Sequence, residues 1–398
     1  MRQLFCRVYQ AVMRLVTGLV KWKDAEVIEG ENSILKIPAL LVKAGYNKVL
    51  LVTDKGITAL GLTAPLLSGL EKAGIACHVY DETVPNPTID NIEEALKMYK
   101  ENGCQAIIAF GGGSPMDCAK GVGARVARPN LTIPQMRGLL KVMKKIPLLI
   151  AVPTTAGTGS ETTIAAVISN PRTHEKYAVN DFHLVPKYAV LDPLITVGLP
   201  PHITATTGMD ALTHAVEAYV GRSNTKETRQ AARKAVKLIH KNLYTAYIDG
   251  GNVTARSNML TAAFYAGIAF TKAYVGYVHA IAHTLGGYYR IPHGLANAVI
   301  LPYVLDYYGE TAHQPLAELA DLIGIAAEGE SAAEKARKFI AWIRDLQARM
   351  NIPAKLEGIQ EADLSGMIHN ALNEANPLYP VPRILFADDL RQLYAMIQ

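Results

Sequence analysis

The stretch AIIAFGGGSPMDCAK, residues 106–120, decides the fold class because it contains a buried strand, a sharp turn and a helix start in succession. The apolar run AIIAF predicts a strand, and three glycines follow it. Ser114 is predicted to cap the next helix, with Pro115 at its first position, where the fixed φ of proline is favourable. Such a helix start offers unpaired N–H groups to a phosphate. An ordinary glycine turn is the alternative interpretation.

The same alternation of strand and helix extends on both sides of this stretch. Strands are predicted over 48–53, 76–80, 106–110 and 148–152, with helices over 64–73 and 92–102. Short apolar strands separated by helices predict a parallel sheet covered on both faces. Beyond Pro200 the pattern is helical, over 204–219, 226–247, 255–274, 278–288, 332–350 and 361–373. We therefore predict an α/β fold in which a Rossmann-like parallel-sheet domain, 27–200, precedes an all-helical domain, 201–398.

Composition excludes several other classes of protein. A chain of 398 residues that is 50% hydrophobic and 19% charged suits an enzyme with two cores. The four scattered cysteines exclude a disulfide scaffold and favour a reducing cytoplasm. No apolar run reaches about 18 residues, so an integral membrane segment is not expected. The net charge of +5 comes from five basic residues among the first 23, and the remainder is balanced, so no nucleic-acid partner is expected.

Residues 1–26 form a basic amphipathic extension. Apolar residues recur at helical spacing between arginines, at Phe5, Val8, Val12, Leu15, Val16 and Leu19. A helix lying on a membrane surface is one interpretation. We prefer packing on the protein's own body or on a partner subunit, which is the commoner use of such a helix.

Two further segments fit a dinucleotide site. Asp54 ends the strand KVLLVT, where a carboxylate accepts hydrogen bonds from a ribose hydroxyl and repels a 2′-phosphate, which favours NAD over NADP. A helix cap is the alternative role for this residue. The segment PTTAGTGSE, 153–161, also follows a strand, and its hydroxyls, including that of Thr154, are suited to phosphate or ribose. Two polar loops at one end of a parallel sheet favour a ligand crevice.

A cluster of metal-binding residue types lies in the helical half. Asp210 and His214 are four residues apart, as are His279 and His283, so each pair shares a helix face. His293 follows in the segment RIPHG. Imidazole and carboxylate without a thiolate suit Zn(II) or Fe(II). Five candidates for about four positions leave one residue over, and spacing alone does not identify it.

These residues resemble the iron-containing (group III) alcohol dehydrogenase family, which includes lactaldehyde reductases and propanediol dehydrogenases. The matching segments, in family order from about residue 27 onward, are VTDK (52–55), VPNPT (84–88), GGGSPMDCAK (111–120), PTTAGTGSE (153–161), GMDALTHAVEAY (208–219) and HAIAHTLGGYYRIPHGLANA (279–298). The resemblance implies the two-domain architecture shared with dehydroquinate synthase-like proteins, with metal and cofactor in the cleft between the domains.

By position in these motifs, the resemblance assigns roles to individual residues. It implies that the metal, Fe(II) or alternatively Zn(II), is bound by Asp210, His214, His279 and His293. His283 is then the histidine that does not bind the metal and lies near the nicotinamide and substrate; an orienting or packing role is the alternative to a catalytic one. Around NAD(H) it places Asp54, Asn86, Gly112, Gly113, Ser114, Pro115, Asp117, Thr155, Thr158 and Lys176.

The implied activity is hydride transfer between NAD(H) and a small primary alcohol or diol and its aldehyde, in a cytoplasmic homodimer. The metal would act as a Lewis acid on the substrate oxygen. Two related NAD and metal enzymes, glycerol dehydrogenase and dehydroquinate synthase, are alternatives. The first usually lacks the full set of four ligand positions, and the second needs several basic groups near the metal. A non-catalytic nucleotide- or metal-binding protein is a further alternative.

Overall fold

The protein forms two compact units in a computed structural model that describes residues 2–18, 20, 22–172 and 175–398. One unit is Trp22–Gly198, and the other combines Met1–Lys21 with Leu199–Gln398. Leu19 and Lys21, part of the basic amphipathic stretch, lie outside the described residues. The N-terminal residues and the C-terminal half of the chain therefore belong to one unit.

The Trp22–Gly198 unit is built on a six-stranded parallel sheet. Alternate side chains enter two different cores, with Leu50 and Ile107 in one, and Leu51 and Ile108 in the other. Because both faces are covered, the central strands are almost wholly apolar. The strands are β1 Glu26–Glu29, β2 Lys48–Val52, β3 Ala76–Tyr80, β4 Ala106–Gly111, β6 Leu148–Pro153 and β9 Tyr188–Leu191. They lie in the sheet in the order β1-β9-β6-β4-β2-β3.

The helices of this unit cover the sheet, and a small second sheet lies beside it. The helices are α2 Ile37–Lys43, α3 Lys55–Ala59, α4 Ala64–Lys72, α5 Ile89–Glu101 and α6 Gly113–Ala127. The small sheet contains β5 Gly138–Leu139, β7 Ala165–Asn170 and β8 Glu175–Asn180, in the order β5-β8-β7. Short 3₁₀ helices occupy Ser33–Lys36, Pro134–Met136, Ser160–Thr162, Phe182–Leu184 and Pro193–Thr196.

The described residues of the other unit form helices joined by loops, with no strand among them. Its helices are α1 Arg2–Gly18, α7 Pro201–Val220, α8 Lys226–Ile248, α9 Val253–Ala273, α10 Tyr277–Tyr289, α11 His293–Tyr308, α12 Glu310–Ile323, α13 Ala332–Arg349, α14 Glu361–Ala375 and α15 Ala387–Ile397. Helix α7 packs against α8, α9 and α11, and it is buried on nearly every side. None of the described helices is long and apolar enough to cross a membrane.

The predicted fold class, a parallel-sheet half followed by a helical half, is confirmed. The predicted strands and helices all occur, with boundaries that differ by a few residues. The sequence pattern did not reveal strands β1 and β9 of the large sheet, the small sheet of β5, β7 and β8, or the helices α2, α3, α11, α12 and α15. Buried helices such as α11 are apolar on all sides and lack the amphipathic period on which the prediction relied.

Candidate active site

Four potential metal ligands from three helices of the helical unit converge on one point. Asp210 and His214 lie one turn apart on α7, His279 lies on α10, and His293 is the first residue of α11. One ligand atom from each residue lies within 4.8 Å of all the others. Asp210, His214 and His279 are buried. The structure thus brings together the four residues expected to bind the metal and leaves His283 outside that group.

Helix α11 brings His293 to this point through a close approach to α7. Gly294 lies against the backbone of α7, and a Cβ added there would be 2.6 Å from the carbonyl oxygen of Thr206. Any larger residue would push the two helices apart. Glycine is therefore required at position 294 by the contact with α7 and not by the conformation of α11 itself.

The charge of the cluster fits a divalent cation. Asp210 Oδ1 lies 3.6 Å from His293 Nε2 and 3.9 Å from His279 Nε2, and it accepts a 2.7 Å hydrogen bond from Asn297 Nδ2. Among the described residues, no lysine or arginine forms an ion pair with Asp210. Burial, and then the neighbouring imidazoles, lower the pKa of His279 well below its usual value, so its lone pair is available. A buried carboxylate among three imidazoles is a donor set suited to Fe(II) or Zn(II).

Glu217, two turns from Asp210 on α7, fixes the orientation of one imidazole. Its Oε2 lies 2.6 Å from His279 Nδ1. The carboxylate also accepts hydrogen bonds from the backbone N–H groups of Gly276 and Val278, at 2.9 and 2.8 Å. Burial raises the pKa of Glu217 to about 8, against the opposing effect of these backbone donors. Because Nδ1 faces Glu217, the ring presents Nε2 to the cluster, as a metal-binding histidine requires.

His283 lies beside the cluster and is held by a different carboxylate. Its Nδ1 is 2.7 Å from Glu374 Oε1, which also accepts a 2.8 Å hydrogen bond from the Tyr379 hydroxyl. The imidazole stacks on that of His293 with the ring centroids 5.1 Å apart. With Nδ1–H donated to Glu374, Nε2 is the nitrogen able to accept a proton.

The two glycine-rich loops of the other unit lie side by side. Gly111 on β4 pairs with Pro153 on β6, so both loops leave the same edge of the sheet. A Cβ added at Gly112 would be 3.4 Å from Thr155 Oγ1, and one at Gly113 would be 3.3 Å from Thr158 Cγ2. The predicted crevice-forming loops are therefore in contact, with buried Thr154 at the base of the second loop.

Three other predicted dinucleotide residues are linked to each other. The backbone N–H of Asn86 donates to Ser114 Oγ at 3.1 Å, and Lys176 Nζ donates to Asn86 Oδ1 at 2.7 Å. The prediction that Ser114 caps helix α6 is wrong. Gly112 occupies the cap position and the helix begins at Gly113, so Ser114 and Pro115 are its second and third residues. The hydroxyl of Ser114 is used by Asn86 instead.

Asp54 has the role of a helix cap in this structure. Its Oδ1 accepts a 3.0 Å hydrogen bond from the backbone N–H of Ile57, at the start of α3. The residue follows β2, the neighbour of β4 in the sheet. The carboxylate is therefore at the same sheet edge as the glycine-rich loops, and capping leaves its second oxygen for another donor.

Asp117 and Lys120 attach helix α6 to the PTTAGTGSE loop. Asp117 accepts hydrogen bonds from Ser160 Oγ at 3.0 Å and from the backbone N–H of Val167 at 3.1 Å. Lys120 is completely buried, and its ammonium lies 2.6–3.2 Å from oxygens of Ser160, Thr163 and Ala165. Asp117 thus holds the loop in place.

Comparisons with known proteins agree with this arrangement. Residues 24–193 match the iron-containing alcohol dehydrogenase family, and residues 204–397 match the C-terminal part of the same family. The chain is 40% identical to 1,3-propanediol dehydrogenase from Klebsiella pneumoniae over 351 residues, covering 87% of this chain and 90% of the relative.

Two solved structures extend the comparison. A 1,3-propanediol oxidoreductase superimposes with a TM-score of 0.91 at 36% identity, covering 95% of this chain and all of the other. Sulfoacetaldehyde reductase from Bifidobacterium kashiwanohense, solved in complex with NAD⁺, has a TM-score of 0.85 at 27% identity, covering 95% and 98% of the two chains.

The chain belongs to the iron-containing alcohol dehydrogenase family. The predicted enzyme class, an NAD-dependent alcohol dehydrogenase with iron as its metal, is confirmed at this level. Both halves of the dehydrogenase, the sheet unit and the helical unit, are matched by the family.

Several residues around the metal cluster of this dehydrogenase were missed by the sequence analysis. Glu217 lies in the segment GMDALTHAVEAY and Asn297 in HGLANA, so both were within segments already quoted. Asn297 is completely buried, and its Nδ2 lies within 2.7–3.2 Å of Asp210 Oδ1, His279 Nε2 and His293 Nε2. Spacing could have indicated Glu217, since it is seven residues from Asp210 and shares its helix face. Glu374 lies on α14, far along the chain, and no local pattern connects it to His283.

Proposed function

We propose that this enzyme transfers hydride between NAD(H) and a small primary alcohol or diol and its aldehyde, with iron bound by Asp210, His214, His279 and His293. The observation that carries the proposal is the convergence of these four donors within 4.8 Å, three of them buried and one, Asp210, a carboxylate that lies close to two of the imidazoles. A bound divalent ion supplies Lewis acidity toward the substrate oxygen. NAD(H) supplies the hydride chemistry.

The side chains around the cluster prepare it for a cation and a substrate oxygen. Glu217 holds His279 in the tautomer whose Nε2 faces the cluster. Asn297 donates to Asp210 Oδ1 and so restricts the rotation of that carboxylate. Phe270 stacks on His214 with the ring centroids 4.1 Å apart, which orients the imidazole and excludes water from one face. The residues thus supply position and charge in advance of binding.

His283 moves the proton in this proposal. Its Nε2 accepts the hydroxyl proton of the alcohol, and the imidazolium that forms is stabilised by Glu374 at Nδ1. In the opposite direction, Nε2 returns the proton to the oxygen of the reduced aldehyde. The Tyr379 hydroxyl bonds to the same Glu374 oxygen and limits the motion of the carboxylate.

The dinucleotide residues are proposed from the loops at the sheet edge. The N–H groups at the start of α6, near Gly112 and Gly113, suit a pyrophosphate. Asp54, with one oxygen engaged in its cap, suits a ribose hydroxyl and favours NAD over NADP. The remaining proposed contacts are Asn86, Ser114, Pro115, Asp117, Thr154, Thr155, Thr158 and Lys176.

The proposal also covers the cellular location and the oligomeric state of the enzyme. We infer a cytoplasmic enzyme because its four cysteines are free thiols, three of them buried, as a reducing compartment permits. A homodimer remains our expectation for the assembly, and light scattering of the purified enzyme measures it.

Anaerobic purification of three variants with metal analysis tests the ligand set. His214→Ala and His293→Ala should lose both bound iron and NADH oxidation with short aldehydes. His283→Ala should keep the iron and lose roughly 10²-fold in turnover, the usual effect of removing a general acid or base. His202→Ala, an exposed histidine on the same helix as His214, is the matched control and should change neither.

Two results would contradict the proposal. Full activity in a metal-free variant would exclude the Lewis-acid role. Loss of iron in His283→Ala would show that this residue is a ligand and that the assignment of the four ligands is wrong.

A further inference from the structure

Helix α1 exposes its apolar side. Its six large aliphatic and aromatic side chains on that side are each more than half exposed: Leu4 70%, Phe5 61%, Val8 54%, Val12 52%, Leu15 73% and Val16 51%. At 3.6 residues per turn these positions fall within about a third of the helix circumference. A continuous apolar strip of this kind on a protein surface marks a binding face.

The opposite, polar side of α1 is the one that packs on the helical unit. The Arg7 guanidinium donates to the carbonyl oxygens of Val381 and Pro382, both at 2.7 Å. Gln10 Nε2 donates to the carbonyl oxygen of Tyr379 at 2.8 Å, and Cys6 is buried beside it. These bonds fix the rotation of the helix about its axis. The apolar strip is therefore held outward by specific contacts.

Charge indicates what kind of surface fits the strip. The first 23 residues contain five basic residues and no acidic one, whereas the rest of the chain is balanced. A second copy of the same helix would bring two positively charged segments together, which is unfavourable. An anionic surface would be attracted instead. A lipid bilayer also accepts an apolar helix face without needing a matching groove.

We propose that α1 binds the surface of a membrane that contains anionic phospholipid. The apolar strip enters the boundary between headgroups and acyl chains, and the helix lies parallel to the surface. Arg7 and Arg14 are on the far side, about one helix diameter away, a distance of about 10 Å. This distance is close to the electrostatic screening length in physiological salt. The attraction of the two arginines to the anionic headgroups therefore persists but weakens as salt is added.

Sedimentation of the full-length, iron-loaded enzyme with lipid vesicles tests this proposal. The enzyme should sediment with vesicles of phosphatidylcholine and phosphatidylglycerol, and at least roughly tenfold more weakly with phosphatidylcholine alone or in high salt. The double variant Phe5→Glu/Leu15→Glu should lose vesicle binding and keep NADH oxidation. Ile248→Glu is the control for introducing a glutamate at an exposed apolar position, because Ile248 is 63% exposed on another helix. It should bind vesicles as the unchanged enzyme does.

Three outcomes would overturn the proposal. The first is absence of binding to anionic vesicles by the unchanged enzyme, and the second is full binding by the double variant. The third is an oligomer, measured by light scattering without vesicles, that the double variant dissociates and Ile248→Glu does not. That result would assign the apolar strip to contact between subunits.

Discussion

His279 Nδ1 lies 2.6 Å from Glu217 Oε2, and both side chains are buried. This bond decides which imidazole nitrogen faces the three other candidate ligands. It connects two helices, α7 and α10, whose residues are 62 positions apart in the chain. The metal cluster therefore depends on a carboxylate that does not belong to it.

Replacing Glu217 with Gln tests that dependence. Glutamine has nearly the same shape, but its NH2 group cannot accept a hydrogen bond, so the contacts of Glu217 with His279 Nδ1 and with the backbone N–H groups of Gly276 and Val278 cannot all be kept. We expect iron affinity to fall by roughly 10–100-fold, the usual effect of changing a residue that orients a metal-binding histidine. Equilibrium iron titration of the apo-enzyme measures it. Glu361→Gln, an exposed carboxylate on α14, is the control, and equal affinities in the two variants would contradict the role of Glu217.

Replacing Glu374 with Gln separates the role of His283 from that of the metal ligands. The imidazolium that forms during proton transfer loses its anionic partner at Nδ1. We expect kcat to fall roughly tenfold or more in both reaction directions, with unchanged iron content and unchanged KM for NADH. Tyr379→Phe, which removes the second hydrogen bond to the same oxygen, should have a smaller effect. A purely packing role for His283 would leave kcat unchanged in Glu374→Gln.

Replacing Asp54 with Asn distinguishes its cap from its proposed contact with ribose. Asparagine is as good a helix cap as aspartate, so thermal stability should be retained. The lost negative charge should raise kcat/KM with NADPH by roughly tenfold relative to NADH, because a 2′-phosphate is no longer repelled. Asp54→Ala removes both functions and should also cost about 1 kcal/mol in stability. An unchanged preference for NADH in Asp54→Asn would leave the residue with its capping role alone.

Glu161, in the PTTAGTGSE loop, predicts a dependence of stability on pH. Burial raises its pKa to about 7 from the ordinary value of 4.5. Between these values the folded chain keeps a proton that the unfolded chain has lost, so this group's contribution to stability falls as the pH rises. Glu161→Gln removes the effect.

The measurement compares the free energies of unfolding of the metal-free proteins, from urea titrations between pH 5 and pH 8. The free energy of unfolding of Glu161→Gln should exceed that of the unchanged protein only slightly at pH 5. This difference should grow with pH and level off above about pH 7 at a few kcal/mol. Glu101→Gln, an exposed carboxylate on α5, should follow the unchanged protein at every pH. A constant difference between Glu161→Gln and the unchanged protein would contradict the raised pKa.

The sequence by itself determined the local features of this protein. Helical spacing placed Asp210 and His214 on one face, and the order of strand, glycine turn and helix predicted the parallel sheet and its loops. These predictions succeeded because they depend on short-range periodicity. The N-terminal boundary of α6 failed because three consecutive glycines and a serine are all acceptable caps, and contact with Asn86 uses the serine elsewhere.

Only the tertiary structure decided how these local pieces meet. The approach of α11 to α7 at Gly294, the bond of Glu217 to His279 and the bond of Glu374 to His283 join residues distant in the chain. Helix α1 shows the same division, since its periodicity revealed an apolar side but not the direction in which that side faces. Periodicity describes one element alone, whereas burial depends on the hydrogen bonds and packing that other elements supply.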